Sequence, residues 1–210
     1  MIRLKLEKIW WGILLFLLLL TACISSPQVT FYTLNSQMSP PKLPRNILAS
    51  KALTIGIGSV HIPDYLDRPQ IVTFEGPHRL HLAEFHRWAG RLENDMIQVM
   101  VENLSTLLGT TKVASFPWSQ AETPQYRVDL IFNHFEGTLG KTFRLQGVWR
   151  LSGEGIKGGA LERPFDQSIV IAGKNYEDLA AASSRGLWDL SQTISKAIYK
   201  NTSTLGPAQK

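Results

Sequence analysis

The chain has 210 residues, 44% of them hydrophobic and 10% aromatic, with one cysteine and a formal charge of +5. That length suits one domain with flanking segments and can bury a core, while a lone cysteine excludes a disulfide within the chain, so packing has to supply the stability. The cationic residues are dispersed and aromatic residues do not interleave with them as a base-stacking groove requires, which argues against nucleic acid as a partner.

The chain opens with Arg3, Lys5 and Lys8, an apolar run over residues 9–20 and the junction Leu20-Thr21-Ala22-Cys23. This is the charged, apolar and small-residue order of a secretory signal, and the run is shorter than the ~20 apolar residues that cross a bilayer. Residues 1–22 are therefore predicted to be removed, taking Arg3, Lys5, Lys8 and Glu7 with them, a net +2 that leaves +3. The junction resembles the bacterial lipobox residue for residue. The resemblance implies that the Cys23 thiol carries a diacylglycerol and that Cys23 becomes the acylated first residue. Each buried methylene contributes about 0.8 kcal/mol, so two or three chains hold a domain at a membrane where one binds marginally. Under the sorting rule that this resemblance implies, Ile24, rather than an Asp that would favour inner-membrane retention, points to an outer-membrane anchor facing the periplasm.

Residues 23–50 are predicted to be the lipidated Cys23 and a tether bearing Pro27, Pro40, Pro41 and Pro44. A flexible tether of about 25 residues would have an r.m.s. reach of about 25–30 Å. One island interrupts it, Val29-Thr30-Phe31-Tyr32-Thr33-Leu34, which is β-branched and aromatic enough for a short strand or a docked segment.

Residues 51–200 are predicted to form a single α+β domain, with residues 201–210 a frayed tail. Residues 52–62 alternate Leu53, Ile55 and Ile57 with Thr54, Gly56 and Gly58 as a first strand. Gly56 and Gly58 lack the third glycine and the helix of a dinucleotide loop, so close backbone approach or a bulge explains them. After a turn-rich loop, residues 70–75 and 78–85 read as strands. On a regular strand His78 and His86 would share a face and His81 would point the other way, so no metal site is expected there. From Arg87 the period becomes helical, with Trp88, Leu92, Met96, Met100, Leu104, Leu107 and Leu108 on one side up to Gly109. Residues 111–116 form a short strand before Pro117.

Residues 126–136 and 142–151 give the clearest sheet signal, two alternating runs joined by a glycine-containing turn. Tyr126, Val128, Leu130 and Phe132 share one face with Phe143, Leu145 and Trp149 of the partner, and these faces are the expected core. The turn Gly137-Thr138-Leu139-Gly140-Lys141-Thr142 ends like a phosphate-binding loop but has Phe135 where that loop needs glycine, and a strand where it needs a helix. Residues 166–172 read as the last strand. Asn175 is positioned to cap a closing helix whose apolar side includes Tyr176, Leu179, Leu187, Leu190, Ile194 and Ile198. The order predicts an α+β fold, a mainly antiparallel or mixed sheet with two amphipathic helices on one face.

No nucleophile elbow, H-E-x-x-H motif or free thiol is present, and Asp64, Asp67, Glu177 and Asp178 sit in a loop and a helix start. No catalytic, cofactor-binding or metal residue is assigned; the covalent lipid on Cys23 is the only group expected.

With the lipobox, Phe31-Tyr32-Thr33-Leu34, Ile62-Pro63-Asp64-Tyr65-Leu66, Arg87-Trp88-Ala89, Asn103-Leu104-Ser105 and Gly147-Val148-Trp149, the chain resembles the PqiC/YmbA-type, or ABC-type transport auxiliary, lipoproteins. The resemblance runs to Tyr176-Glu177-Asp178-Leu179 and Trp188. It implies a non-enzymatic outer-membrane lipoprotein that works with a mammalian-cell-entry (MCE) type periplasmic protein and an inner-membrane component in intermembrane lipid transport. Self-association is left open. The alternative is a structural or assembly lipoprotein of the envelope that binds protein only.

Overall fold

A computed structural model of the chain describes residues 27–36, 53–119, 123–153 and 156–204. The signal, Cys23, Pro40, Pro41, Pro44 and residues 205–210 lie outside the described residues. The elements in order are β1 (Thr30–Tyr32), β2 (Ile55–His61), a 3-10 turn (Asp64–Leu66), β3 (Gln70–Gly76), β4 (Arg79–Trp88), α1 (Leu92–Leu108), β5 (Val113–Ser115), β6 (Tyr126–Gly137), β7 (Thr142–Gly153), β8 (Ala160–Val170) and α2 (Tyr176–Thr204).

The long strand β6 organises one mixed eight-stranded sheet. One of its edges carries β7 antiparallel, and β8 continues that meander. Its other edge is shared between two parallel neighbours, β2 along the first half and β3 through Thr73 opposite Gly137 at the far end. Beyond β3 lie antiparallel β4 and then parallel β1, while β5 closes the other side beside β2. The longest ladders are antiparallel, so the expected α+β fold holds in its mixed form.

Alternation in β6 and β7 delivers the expected core: Tyr126, Val128, Leu130, Phe132, Phe143, Leu145 and Trp149 are all buried. The helices lie side by side on that face, with Met96, Met100 and Leu104 of α1 and Leu187, Leu190, Ile194 and Ile198 of α2 at 0% exposure. Ser191 donates to the Met100 sulfur at 3.2 Å, linking the two. α1 stops at Gly109, whose φ of 63° is the left-handed position that glycine adopts without strain. α2 starts where Asn175 Oδ1 accepts the Asp178 amide at 2.7 Å, and it runs to Thr204, past the predicted boundary at 200.

Three expectations are revised. Trp88 is not in the helix: β4 continues through it because Trp88 N–H donates to Pro69 O and Ala89 N–H to Tyr32 O, both at 2.7 Å. The last strand spans Ala160–Val170 rather than residues 166–172, and Pro164 is accommodated because β8 is an edge strand that pairs with β7 alone. The histidines are also placed differently. Between Gln70 and Val72 the β3–β4 register jumps from Arg87 to Leu82, and this irregularity reverses the alternation. His81, opposite Thr73, and His86, stacked on Tyr176 at 4.2 Å, therefore share the helix side.

The island Val29-Thr30-Phe31-Tyr32-Thr33-Leu34 docks as β1. The 25-residue reach consequently does not describe the link to Cys23, because only residues 24–29 separate Cys23 from Thr30. Seven Cα–Cα steps span at most about 25 Å.

Candidate functional site

Cys23, the one site residue expected from sequence, lies outside the described residues, and the structure begins to bear on it at the β1 dock. The Tyr32 hydroxyl and His86 Nδ1 are 2.8 Å apart, and the Tyr32 ring lies 6.3 Å from that of Tyr176. Burial and then the charge of Glu177 push the Tyr32 hydroxyl above its ordinary pKa. Leu34 is buried. The Asn35 amide donates to Ser184 of α2 at 3.1 Å, and Ser36 hydrogen-bonds Glu102 of α1. Residues 30–36 thus form a strap from the sheet edge across both helices, and an open groove of about 600 Å³ runs between it and α2, lined in part by Thr30, Tyr32, Glu177 and Arg185.

The sheet face away from the helices carries two polar clusters. At one end Arg127 forks onto Asp129 at 2.7 and 2.9 Å, and Asp129 Oδ1 also accepts from the Ser59 amide and hydroxyl. Burial pushes the Asp129 carboxyl up, but the hydrogen bonds from Arg127 and Ser59 and the Arg127 charge outweigh it and hold the group below its ordinary pKa. The guanidinium also lies 5.8 Å over the Trp118 ring. The glycines make room for this layer: a Cβ on Gly58 would strike Asp129 and Arg127, and one on Gly56 would come within 2.6 Å of Pro124 and 2.8 Å of Trp118. Close approach is therefore what the G-x-G is for.

At the other end Glu136 is 1% exposed. Its carboxylate accepts from the Tyr65 hydroxyl at 2.9 Å and the Phe135 amide at 2.7 Å, and His134 Nδ1 lies 2.6 Å from Oε1. The cluster explains Ile62-Pro63-Asp64-Tyr65-Leu66: the 3-10 turn sets Leu66 into the core and Tyr65 over the carboxylate. Burial first, then the charge and hydrogen bond of Glu136, raise the Tyr65 pKa. Nearby, Arg144 pairs with Asp166 at 3.0 Å and holds that carboxyl below its usual range. Glu136 and Lys141 line an open groove of about 420 Å³ with Phe74 and Arg144.

Chemically, these clusters are committed to the protein itself. Glu136 spends its acceptors on Tyr65, Phe135 and His134, and among the described residues no three His, Cys, Asp or Glu side chains converge as a metal site. The turn that ends like a phosphate loop is a hairpin turn, with Lys141 N–H donating to Thr138 O and Gly140 at φ 71°. Sequence reasoning missed Glu136 and Asp129. For Asp129 the alternation with buried Val128 and Leu130 places it on the outer face, but nothing local marks it as the recipient of Ser59.

The family model for the ABC-type transport auxiliary lipoprotein component matches residues 32–195. The chain is 26% identical over 132 residues to "Intermembrane transport lipoprotein PqiC" of Escherichia coli K12, a match covering 63% of this chain and 67% of that one, and the protein of the same name in Shigella flexneri matches equally. Two solved structures share the fold: a crystal structure of an uncharacterized protein (TM-score 0.67, 21% identity, 82% of this chain and 99% of that one) and protein XCC0632 from Xanthomonas campestris (TM-score 0.67, 14% identity, 84% and 98%).

Proposed function

Because the chain belongs to the family of ABC-type transport auxiliary lipoprotein components, we propose that it is the outer-membrane-anchored, periplasm-facing adaptor of an MCE-type intermembrane lipid transport system. In this reading Cys23 carries the lipid, the domain performs no chemistry of its own, and an MCE-type periplasmic protein and its inner-membrane component are the partners. The observation that carries it is the family match from Tyr32 to Ser195, which begins in the strap and takes in β2 to β8, α1 and most of α2. The name of the relatives in Escherichia coli and Shigella flexneri, an intermembrane transport lipoprotein, supports the same reading.

The anchor is tested by Cys23→Ala, which should abolish acylation and leave an uncleaved precursor, and by Ile24→Asp, which should move the protein to inner-membrane fractions where Asp retention operates. The partnership is tested genetically and by crosslinking. Deleting this protein and deleting the MCE-type partner should sensitise the envelope to detergent alike, with the double deletion no worse, and crosslinked envelopes should yield the two together. Additive deletions without a crosslink would instead favour a structural lipoprotein that binds protein only.

A further inference from the structure

Among the described residues, four of the seven large exposed hydrophobic side chains fall on two adjacent strands: Phe31 of β1 at 62% exposure, and Leu80, Leu82 and Phe85 of β4 at 36–42%. Singly such residues need no explanation; their grouping does. They also share one side. Thr73 hydrogen-bonds the Tyr176 hydroxyl, so Thr73 and its partner His81 face the helices, as do His86 and Tyr32, which pack with Tyr176. Alternation then turns Leu80, Leu82, Phe85 and Phe31 to the opposite side, and the register irregularity in β4 is what keeps Phe85 in step with Leu80 and Leu82.

Two observations say what covers this patch. The described residues that follow β1 are directed away from it: Asn35 and Ser36 bond to Ser184 and Glu102 on the helix side. The chain before β1 leads to Cys23 within about 25 Å of contour. Arg87, opposite Phe31 in the register, sets a cation beside the patch, where headgroup phosphates would lie.

We propose that this outer side of β1 and β4 rests on the bilayer that holds Cys23, with Phe31, Leu80, Leu82 and Phe85 entering the boundary between headgroups and acyl chains. The proposal rests on the reading of Cys23 as acylated. It fixes which face of the domain meets the membrane and leaves the helices toward the periplasm.

The test exploits the single cysteine. Full-length acylated protein carrying Leu82→Cys is labelled with an environment-sensitive nitrobenzoxadiazole dye and reconstituted into phosphatidylethanolamine–phosphatidylglycerol vesicles, with Val170→Cys on β8, 69% exposed, as the control. Wild-type protein, its thiol blocked by lipid, should take up no dye. The expected result is a blue-shifted emission at position 82, several-fold protection from iodide and quenching by nitroxide-bearing lipid, with none of these at position 170. Equal iodide access at both positions overturns the proposal, as does shielding at 82 without lipid quenching, which signals a second copy or another protein on the patch. Wild-type protein that itself takes up one dye overturns the anchor reading and the proposal with it, and that outcome is read before vesicles are added.

Discussion

The Tyr65 hydroxyl donates to Glu136 Oε2 at 2.9 Å across a separation of 71 residues, closing over a carboxylate whose side chain is 0% exposed. The bond ties the loop after β2 to the far end of β6. A buried charge that loses a donor keeps its desolvation cost, so removing this hydroxyl has a larger effect than an average hydrogen bond. Tyr65→Phe should destabilise the protein by about 1–3 kcal/mol, read as a lower urea midpoint at unchanged slope.

The same pair sets a response to alkali. Burial, then the Glu136 charge and hydrogen bond, hold the Tyr65 hydroxyl well above its ordinary pKa of 10.0. The folded chain keeps this proton where the unfolded chain would release it, so the contribution is complete below pH 10 and is lost as pH rises above it. Urea midpoints of wild type should fall above pH 10 more steeply than those of Tyr65→Phe. Tyr32 and Tyr176, shifted in the same direction, should leave the variant a residual slope.

Gly147 pairs with Phe132 just before the β6 register shift. A Cβ there would strike the backbone oxygen of Ile131 and approach Phe165 Cζ at 2.8 Å. Backbone cannot rotate out of the way as a side chain can. Gly147→Ala should cost about 1–3 kcal/mol, whereas Gly76→Ala, with open space around the added methyl, should change the urea midpoint little.

The strap should be separable from the body. Leu34 is 4% exposed, and the Ala89 amide donates to Tyr32 O. Leu34→Ala removes packing worth about 2–5 kcal/mol, which lowers the cost of opening the strap locally. Hydrogen exchange at Ala89 should accelerate markedly, while amides of β6 and β7 keep wild-type protection.

What was legible in the sequence is what short-range pattern encodes. The alternation of Tyr126, Val128 and Leu130 marked the core face, and Asn175 marked the start of α2 three residues before the amide it accepts. An extra residue in a strand leaves no such mark: Asn133, left unpaired between Phe132 and His134, resembles any polar strand residue, yet it decides that Glu136 lies on the outer face. The irregularity in β4 is equally silent and reversed the expected facing of His81 and His86. Phe31-Tyr32-Thr33-Leu34 was visible as an ordered island. Its docking sites on β4 and α2, more than 50 residues away, depend on tertiary packing that no local window contains.

The parallel pairing of β1 with β4 determines how the molecule bears tension. A pull on the chain ahead of Thr30 enters the body through three paired residues, Thr30, Phe31 and Tyr32, while the β6–β7 and β7–β8 ladders lie off its path. The strap is thus a mechanical fuse in series with the anchor. While it holds, Cys23 to Thr30 extends at most about 25 Å; once it slips, the chain from Cys23 to Ser36 is released, about 45 Å of contour. A force ramp applied between positions 23 and 204 should show this lengthening as a separate, low-force step, and a single rupture of the whole molecule would show that strap and body yield together.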